Sequence, residues 1–246
     1  MSPHRSRLAS AKPQLAGQTV VVIGGNWSVA LETARRAHDE GAKVVLTARD
    51  ADGLSRVCLE LEARIAAFDA TDFDRLGSFL RELPAPIDHV LLMGLGPLDV
   101  PLQVARNAAG KVRPGGTLLF MGRTGGRHAA RGVALIPAAG AALPAVTKNL
   151  ALKLAPIRVN LIVAGFVDAP PSAALPRDRL RKRREPLRTM SPIRGVVDPA
   201  DVAALAVQLM TNPAITGATF QLDRGQRLVV SSRSDLSPIP SHGGDR

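Results

Sequence analysis

Apolar β-branched runs alternate with stretches of helical spacing along the whole chain of 246 residues. That alternation predicts an α/β protein: a single doubly wound parallel sheet with helices on both faces. The balance of 46% hydrophobic and 22% charged residues, at 25.9 kDa, suits one large globular domain with its own core. No internal repeat or linker interrupts the pattern. The expected organisation is a basic arm at 1–14, the α/β domain at 15–230 and a polar tail at 231–246.

The elements follow in order. Thr19-Val-Val-Val-Ile23 is a short β-branched run that meets Gly24-Gly25 at once, the pattern of a buried strand entering a tight turn. Val29, Thr33 and Ala37 then recur at helical spacing, and Gly41 closes that helix. Lys43 to Thr47 is a second strand, ended by Arg49-Asp50. A helical stretch around Leu54 to Leu61, a strand at Arg64 to Phe68 and a helix at Phe73 to Leu83 come next. His89 to Met93 is a strand stopped by Gly94, and a short helix fits Pro101 to Lys111. Arg113-Pro-Gly-Gly116 reads as a turn into the strand Thr117 to Met121. A long Ala/Leu-rich helix spans about Ala138 to Leu154, followed by a strand at Arg158 to Val163. Ala200 to Met210 is the last helix and Ala218 to Leu222 the last strand.

Composition removes several function classes. The chain has no tyrosine, so chemistry that needs a tyrosine acid or nucleophile is excluded. One cysteine, Cys58, rules out an internal disulfide and a cysteine-based zinc cluster, and reads as a small buried hydrophobe. No apolar run approaches membrane-span length, and Met1 to Gln14 lacks a signal-peptide core. The expected location is cytoplasmic, with no membrane partner and no metal; without a secretion signal, the sequon Asn26-Trp27-Ser28 reads as accidental.

The net charge of +11 is local. The arm holds Arg5, Arg7 and Lys12 and no acid, while Arg177 to Arg188 has seven basic residues against two acids. The rest of the chain keeps only +3 of the total, so no whole-surface nucleic-acid footprint exists. The segment Arg177–Arg188 admits an anion or nucleic-acid site, or a solvated helix in a chain that prefers arginine. No aromatic residue lies in it to stack on bases, which makes nucleic acid the minor reading.

Chemistry first shows in the turn after the first strand. A helix N-terminus offers unpaired N–H groups and a positive dipole end to a pyrophosphate. Here the segment is Gly24-Gly25-Asn26-Trp27-Ser28-Val29-Ala30, where Ser28 and Ala30 stand at positions that further glycines would fill. Both are small enough to admit a phosphate, although a plain strand–helix turn has the same pattern. Arg49 follows the second strand, where an arginine favours the 2′-phosphate of NADP and an acid would favour ribose hydroxyls. A surface arginine would occupy the same place. Asp69 and Asp72 follow the third strand; Asp69 also fits a turn and Asp72 a helix cap.

With those residues in hand, the chain resembles the short-chain dehydrogenase/reductase family over about residues 15–230. The resemblance rests on VVVIGGNWSVA, VVLTARD, FDATD, IDHVLLMGLGP, RPGGTLLF, LPAVTKNLALKLAPIRVN, AGFVDAP and DPADVAALAVQLMTNPAITGATFQLDRG in family order. It implies a Rossmann-type fold and NADP as cofactor. Gly24, Asn26, Trp27, Ser28 and Val29 would form the phosphate turn, Arg49 the 2′-phosphate contact, and Asp69 with Ala70 the adenine contacts. Leu92, Met93 and Gly94 stand where the family has an Asn-Asn-Ala-type segment. Gly165 and Val167 match the turn that holds the nicotinamide carboxamide, with Ala164 and Ala169 in place of family proline and threonine.

The family's catalytic residues are a serine, a tyrosine and a lysine four residues after it. Aligned through TKNLALKLAP, the tyrosine position is Ile136, the lysine position Gly140 and the serine position Gly122 or Arg123. Only 20 residues separate Gly96 from Thr117, fewer than the family has, and the shortened helix normally bears a catalytic asparagine and part of an oligomer interface. Thr124 and His128 are the replacement candidates for hydrogen bonding or proton donation, with Asp168 beside the nicotinamide turn. Lys148 lies eight residues beyond Gly140 and is rotated from it by about 80° on a helix. The expectation is an NADP(H)-dependent oxidoreductase on an unknown carbonyl or alcohol, with atypical or reduced catalysis, as a possible homo-oligomer. A non-catalytic cofactor-binding homologue is the alternative.

Overall fold

The computed structural model describes residues 13–24, 27–49, 59–94, 98–123, 135–168 and 177–228. Residues 1–12 of the basic arm, Asn26, Cys58, Thr124, His128 and the tail 231–246 lie outside the described residues. So does the front of the helical stretch expected at Leu54 to Leu61.

Seven strands make one parallel sheet: β1 (Thr19–Ile23), β2 (Lys43–Ala48), β3 (Arg64–Ala67), β4 (Ile87–Leu92), β5 (Val112–Arg123), β6 (Arg158–Ala164) and β7 (Thr219–Leu222). Their order is β3-β2-β1-β4-β5-β6-β7. Among the described residues, six helices with both ends placed connect or flank them: α1 (Trp27–Asp39), α2 (Phe73–Glu82), α3 (Asp99–Ala108), α4 (Leu135–Lys153), α5 (Arg177–Met190) and α6 (Pro199–Thr211). The β4–β5 connection holds a crossover helix, α3, and the two strands pair in parallel.

Strand side chains alternate between two cores. Val20, Val22, Leu91, Met93, Leu119, Met121 and Ile162 face one side, under Val29, Ala34 and Ala37 of α1 and Val202, Ala206 and Met210 of α6. Val21, Ile23, Val90, Leu92, Leu118, Phe120 and Leu161 face the other, under Leu76, Phe79 and Leu80 of α2, Val104 and Ala108 of α3 and Leu143 of α4. Both faces are covered, which is why these strands read as continuous apolar runs.

One stretch departs from expectation. Arg113 to Gly116 lies within β5, where the ladder runs from Ile87↔Val112 to His89↔Thr117 and sets four residues against Asp88 alone. Gly115 turns the chain at φ +77°, and a Cβ on Gly116 would sit 2.5 Å from the Asp88 carbonyl oxygen. Only glycine fits that approach, so the bulge stays hydrogen-bonded to the sheet.

The strand at Arg158 ties the sheet to α6. Arg158 is buried and donates to the carbonyls of Leu209 and Met210 at 2.6 Å each, of Asn212 at 2.8 Å and of Gly115 at 3.2 Å. One cation thus caps the end of α6, where the last carbonyls lack helical donors. Asn160, also buried, donates to the Ile215 carbonyl at 3.0 Å and accepts from the Ala218 N–H at 3.1 Å, fixing the approach to β7. At the opposite end of α6, Asp198 and Asp201 form a reciprocal capping box.

At the amino edge of the sheet, Asp88 accepts from the Thr19 N–H at 2.8 Å and ion-pairs with Arg113. Gln18 Oε1 accepts from Arg113 at 3.2 Å and lies 2.8 Å from His89 Nε2. An oxygen already accepting from arginine needs a donor from histidine as well, so Nε2 carries the ring proton. His89 Nδ1 is then a buried lone pair without a partner, and burial lowers the His89 pKa to about 4. Among the described residues, no helix is long and apolar enough to cross a membrane.

Candidate functional site

Open parallel sheets take ligands outside the carboxyl ends of their strands, where the strand order reverses. Here the reversal lies at β1, flanked by β2 and β4. Gly24 leaves β1 in the left-handed region, φ +57°, and its N–H donates to Thr47 Oγ1 at 3.0 Å. The Met93 N–H donates to the Ile23 carbonyl at 2.8 Å, and Gly94 turns away from β4 at φ +86°. Beyond β3, the Ala70 Cβ lies 3.7 Å from where a Gly24 Cβ would sit. Gly24, Thr47, Ala70 and Met93 therefore close on one another from four adjacent strands.

Around this point stand the other expected residues. α1 begins at Trp27, so its first N–H groups face the turn without helical acceptors. Ser28 is half-buried in that first turn, whereas the Val29 side chain is fully buried in the core. Any contact from Val29 to a ligand therefore comes from its backbone. Arg49 is exposed immediately after β2. Asp69 accepts from the Thr71 N–H at 2.9 Å and hydroxyl at 2.8 Å. These bonds, with the positive charge of Arg49 nearby, hold the Asp69 carboxyl below its usual range. Asp72 takes its expected second role: it caps α2, accepting from the Arg75 N–H at 3.1 Å.

The far half of the edge is built by β6 and β7. The Gly165 N–H donates to the Leu222 carbonyl at 2.9 Å, and a Cβ there would lie 2.9 Å from the Asp223 Cβ. Val167 bridges Val197, and the Asp168 N–H donates to the Val197 carbonyl at 2.7 Å. The Asp168 carboxylate ion-pairs with Arg184 of α5. Asp223 accepts from the N–H groups of Gly225 and Arg227, and from Arg227 Nε at 2.9 Å. Asp168 thus serves as an anchor for α5 rather than standing open as an acid.

The positions expected for the family's serine, tyrosine and lysine are Gly122 or Arg123, Ile136 and Gly140. Gly122 is buried near the end of β5, and Ile136 and Gly140 lie in the first half of α4. Pro144 inside α4 has no N–H for the Gly140 carbonyl four residues earlier. Lys148 is exposed while its neighbour Thr147 is buried, its hydroxyl bonded to the Leu143 carbonyl at 2.8 Å. Thr47 and the Asp168–Arg184 pair were not singled out by sequence reasoning. The one available signal for Thr47 was a hydroxyl at the end of an otherwise apolar strand.

Comparison with known proteins sets this edge in context. A family profile described as enoyl-(acyl carrier protein) reductase matches residues 98–227, just over half of the chain. The short-chain dehydrogenase/reductase ATR9 of Stachybotrys chlorohalonatus is 27% identical over 253 residues, covering 87% of this chain and 98% of that protein. The chain belongs to the short-chain dehydrogenase/reductase family. Another member, the 3-oxoacyl-[acyl-carrier-protein] reductase MabA of Mycobacterium tuberculosis, is 25% identical over 242 residues, 87% of this chain and 95% of that one. The fold is shared with the crystal structure of BdcA in complex with NADPH, at TM-score 0.72 and 23% identity, over 86% of this chain and 95% of that one. As a short-chain dehydrogenase/reductase the chain is an oxidoreductase by family, built on a Rossmann-type sheet.

Proposed function

We propose that this chain binds NADP(H) at the carboxyl edge of the sheet and reduces or oxidises a carbonyl/alcohol pair without a tyrosine acid. The observation that carries the reading is the Gly24 turn, held by Thr47 beside the exposed Arg49. A left-handed glycine followed by the start of α1 suits a pyrophosphate, which needs close backbone approach and the positive end of a helix dipole. In this reading Gly24, Asn26, Trp27, Ser28 and Val29 surround the pyrophosphate, and Arg49 pairs with the 2′-phosphate. Asp69 and Ala70 border the adenine, Gly94 lies beside the adenosine ribose side of the edge, and Gly165 with Val167 meet the nicotinamide carboxamide. NADPH of a related fold in BdcA supports the choice of cofactor.

When bound, NADPH supplies a hydride. The residues of the chain orient the cofactor. The proton comes from a bound water or from His128, with Thr124 as a hydrogen-bond donor to the carbonyl oxygen. Lacking a positioned acid costs about 10²- to 10⁴-fold in rate, so turnover is slow against ordinary carbonyls. Titration of the purified protein with NADPH, followed by nicotinamide fluorescence, tests the binding. Absence of binding overturns the reading. Steady NADPH consumption against a carbonyl panel supports the oxidoreductase activity; binding with no consumption across the panel overturns it.

A further inference from the structure

Helix α5 places Arg177, Arg181, Arg184 and Arg188 at i, i+4, i+7 and i+11, which is one face of a helix. These four arginines and Glu185 line a groove of about 370 Å³. Like charges at this spacing oppose helix formation, and Pro186 removes a further helical bond. Among the described residues, no carboxylate lies within ion-pair distance of Arg177, Arg181 or Arg188. Among the described residues Glu185 is the one acid of the lining, and with Arg184 already paired to Asp168 it leaves the charge of Arg177, Arg181 and Arg188 in excess.

The groove has a defined place. Leu180 is fully buried, and Arg184 pairs with Asp168 in the turn that leaves β6. The arginine face therefore sits next to the Gly165–Val167 turn. We infer that this face binds the phosphate group of a phosphorylated carbonyl substrate. Guanidinium forks match tetrahedral oxyanions, and several of them on one face exceed what a single carboxylate uses. An extended nucleic acid is a poorer match, because α5 carries no aromatic residue and most of the domain is near neutral. The placement of the carbonyl rests on the proposed cofactor site; phosphate binding itself does not.

The test is isothermal titration of the full-length protein with inorganic phosphate and with glycerol 3-phosphate, with and without saturating NADPH. Arg181→Gln/Arg188→Gln is compared with Arg75→Gln/Arg106→Gln, a pair of exposed arginines on α2 and α3 that lowers the charge equally. Binding of both probes, retained with NADPH present and weakened about tenfold or more by the α5 pair alone, is the expected result. Equal loss in both double variants, no phosphate binding, or binding abolished by NADPH overturns the assignment. Affinity that climbs with oligonucleotide length while the two small probes fail to bind overturns it in favour of a polyanion surface. Arg181→Lys/Arg188→Lys guards against loss of fold: it keeps the charge and recovers part of the affinity. NADPH fluorescence in the same samples reads the cofactor site separately, so either reading fails without the other.

Discussion

The Gly24 N–H donates to Thr47 Oγ1 at 3.0 Å, which makes the end of β2 the support of the turn that leaves β1. Thr47 is buried, 7% exposed, and Gly24 is partly buried beside it. Thr47→Val keeps the shape and removes the acceptor. An unsatisfied donor of this kind costs about 1–3 kcal/mol, to be read as a lower urea midpoint. Because the turn also loses its orientation, NADPH affinity falls in parallel, measured by fluorescence titration. Unchanged affinity would separate Thr47 from cofactor binding.

Arg49 is the residue that distinguishes the two nicotinamide cofactors in the proposed site. Arg49→Gln removes a charge-assisted contact of about 1.5–3 kcal/mol, equivalent to a Kd for NADPH about ten- to a hundredfold higher. NADH, which has no 2′-phosphate, keeps its affinity. An equal loss for both cofactors would remove Arg49 from the 2′-phosphate role.

Arg158 holds four carbonyls from two elements, and three of them close the end of α6. Arg158→Met leaves the Leu209 and Met210 carbonyls buried without this donor and removes it from the partly exposed Asn212 and Gly115 carbonyls. The expected loss is about 3 kcal/mol or more of unfolding free energy, seen in chemical denaturation. Arg158→Lys recovers only part, because an ammonium cannot spread its donors over the same fork. A variant as stable as the parent would show that the cap is dispensable.

At Gly165 the nearest atoms to an added Cβ are the Asp223 Cβ at 2.9 Å and Cα at 3.0 Å. Neither belongs to the far end of a flexible side chain, so Gly165→Ala has to move β7 relative to β6. The expected destabilisation is about 1–3 kcal/mol by thermal or urea unfolding. The same shift disturbs the adjoining Val167–Val197 bridge.

His89 gives the fold a pH dependence. Its pKa falls to about 4 in the folded chain from an ordinary 6.5, chiefly through burial. Between those values the unfolded chain binds the proton more readily, so stability is complete above about pH 6.5 and declines as pH falls toward 4. The full effect is about 3 kcal/mol. His89→Gln should flatten the difference in urea midpoint between about pH 7 and pH 4.5; an unchanged slope would assign the acid sensitivity elsewhere.

How far each feature could be read from the chain follows from the range of the forces behind it. The seven strands and the main helices were legible because burial on both faces leaves long apolar runs in local sequence. The reading of Ile136 and Gly140 as the tyrosine and lysine positions rests on the neighbouring TKNLALKLAP text alone. The turn at Arg113–Gly116 was expected ahead of the strand and lies within β5 instead, because its pairing depends on the approach of Asp88 from another strand. The motif containing Arg158 and Asn160 carried the family resemblance, yet its work is to cap α6 and guide β7, which no local pattern states.

By itself, then, the sequence determined a parallel α/β body, a glycine turn after the first strand, an arginine after the second and the absence of every tyrosine. Each of these is a matter of residue type and local spacing. Only the tertiary structure decided that Thr47 holds Gly24, that Arg184 meets Asp168, and that four arginines of α5 share one groove beside the same turn. The first two join different elements, whose packing sets the distances; the third depends on where α5 is held beside the turn after β6. The charge of the segment was visible from composition; its direction was not.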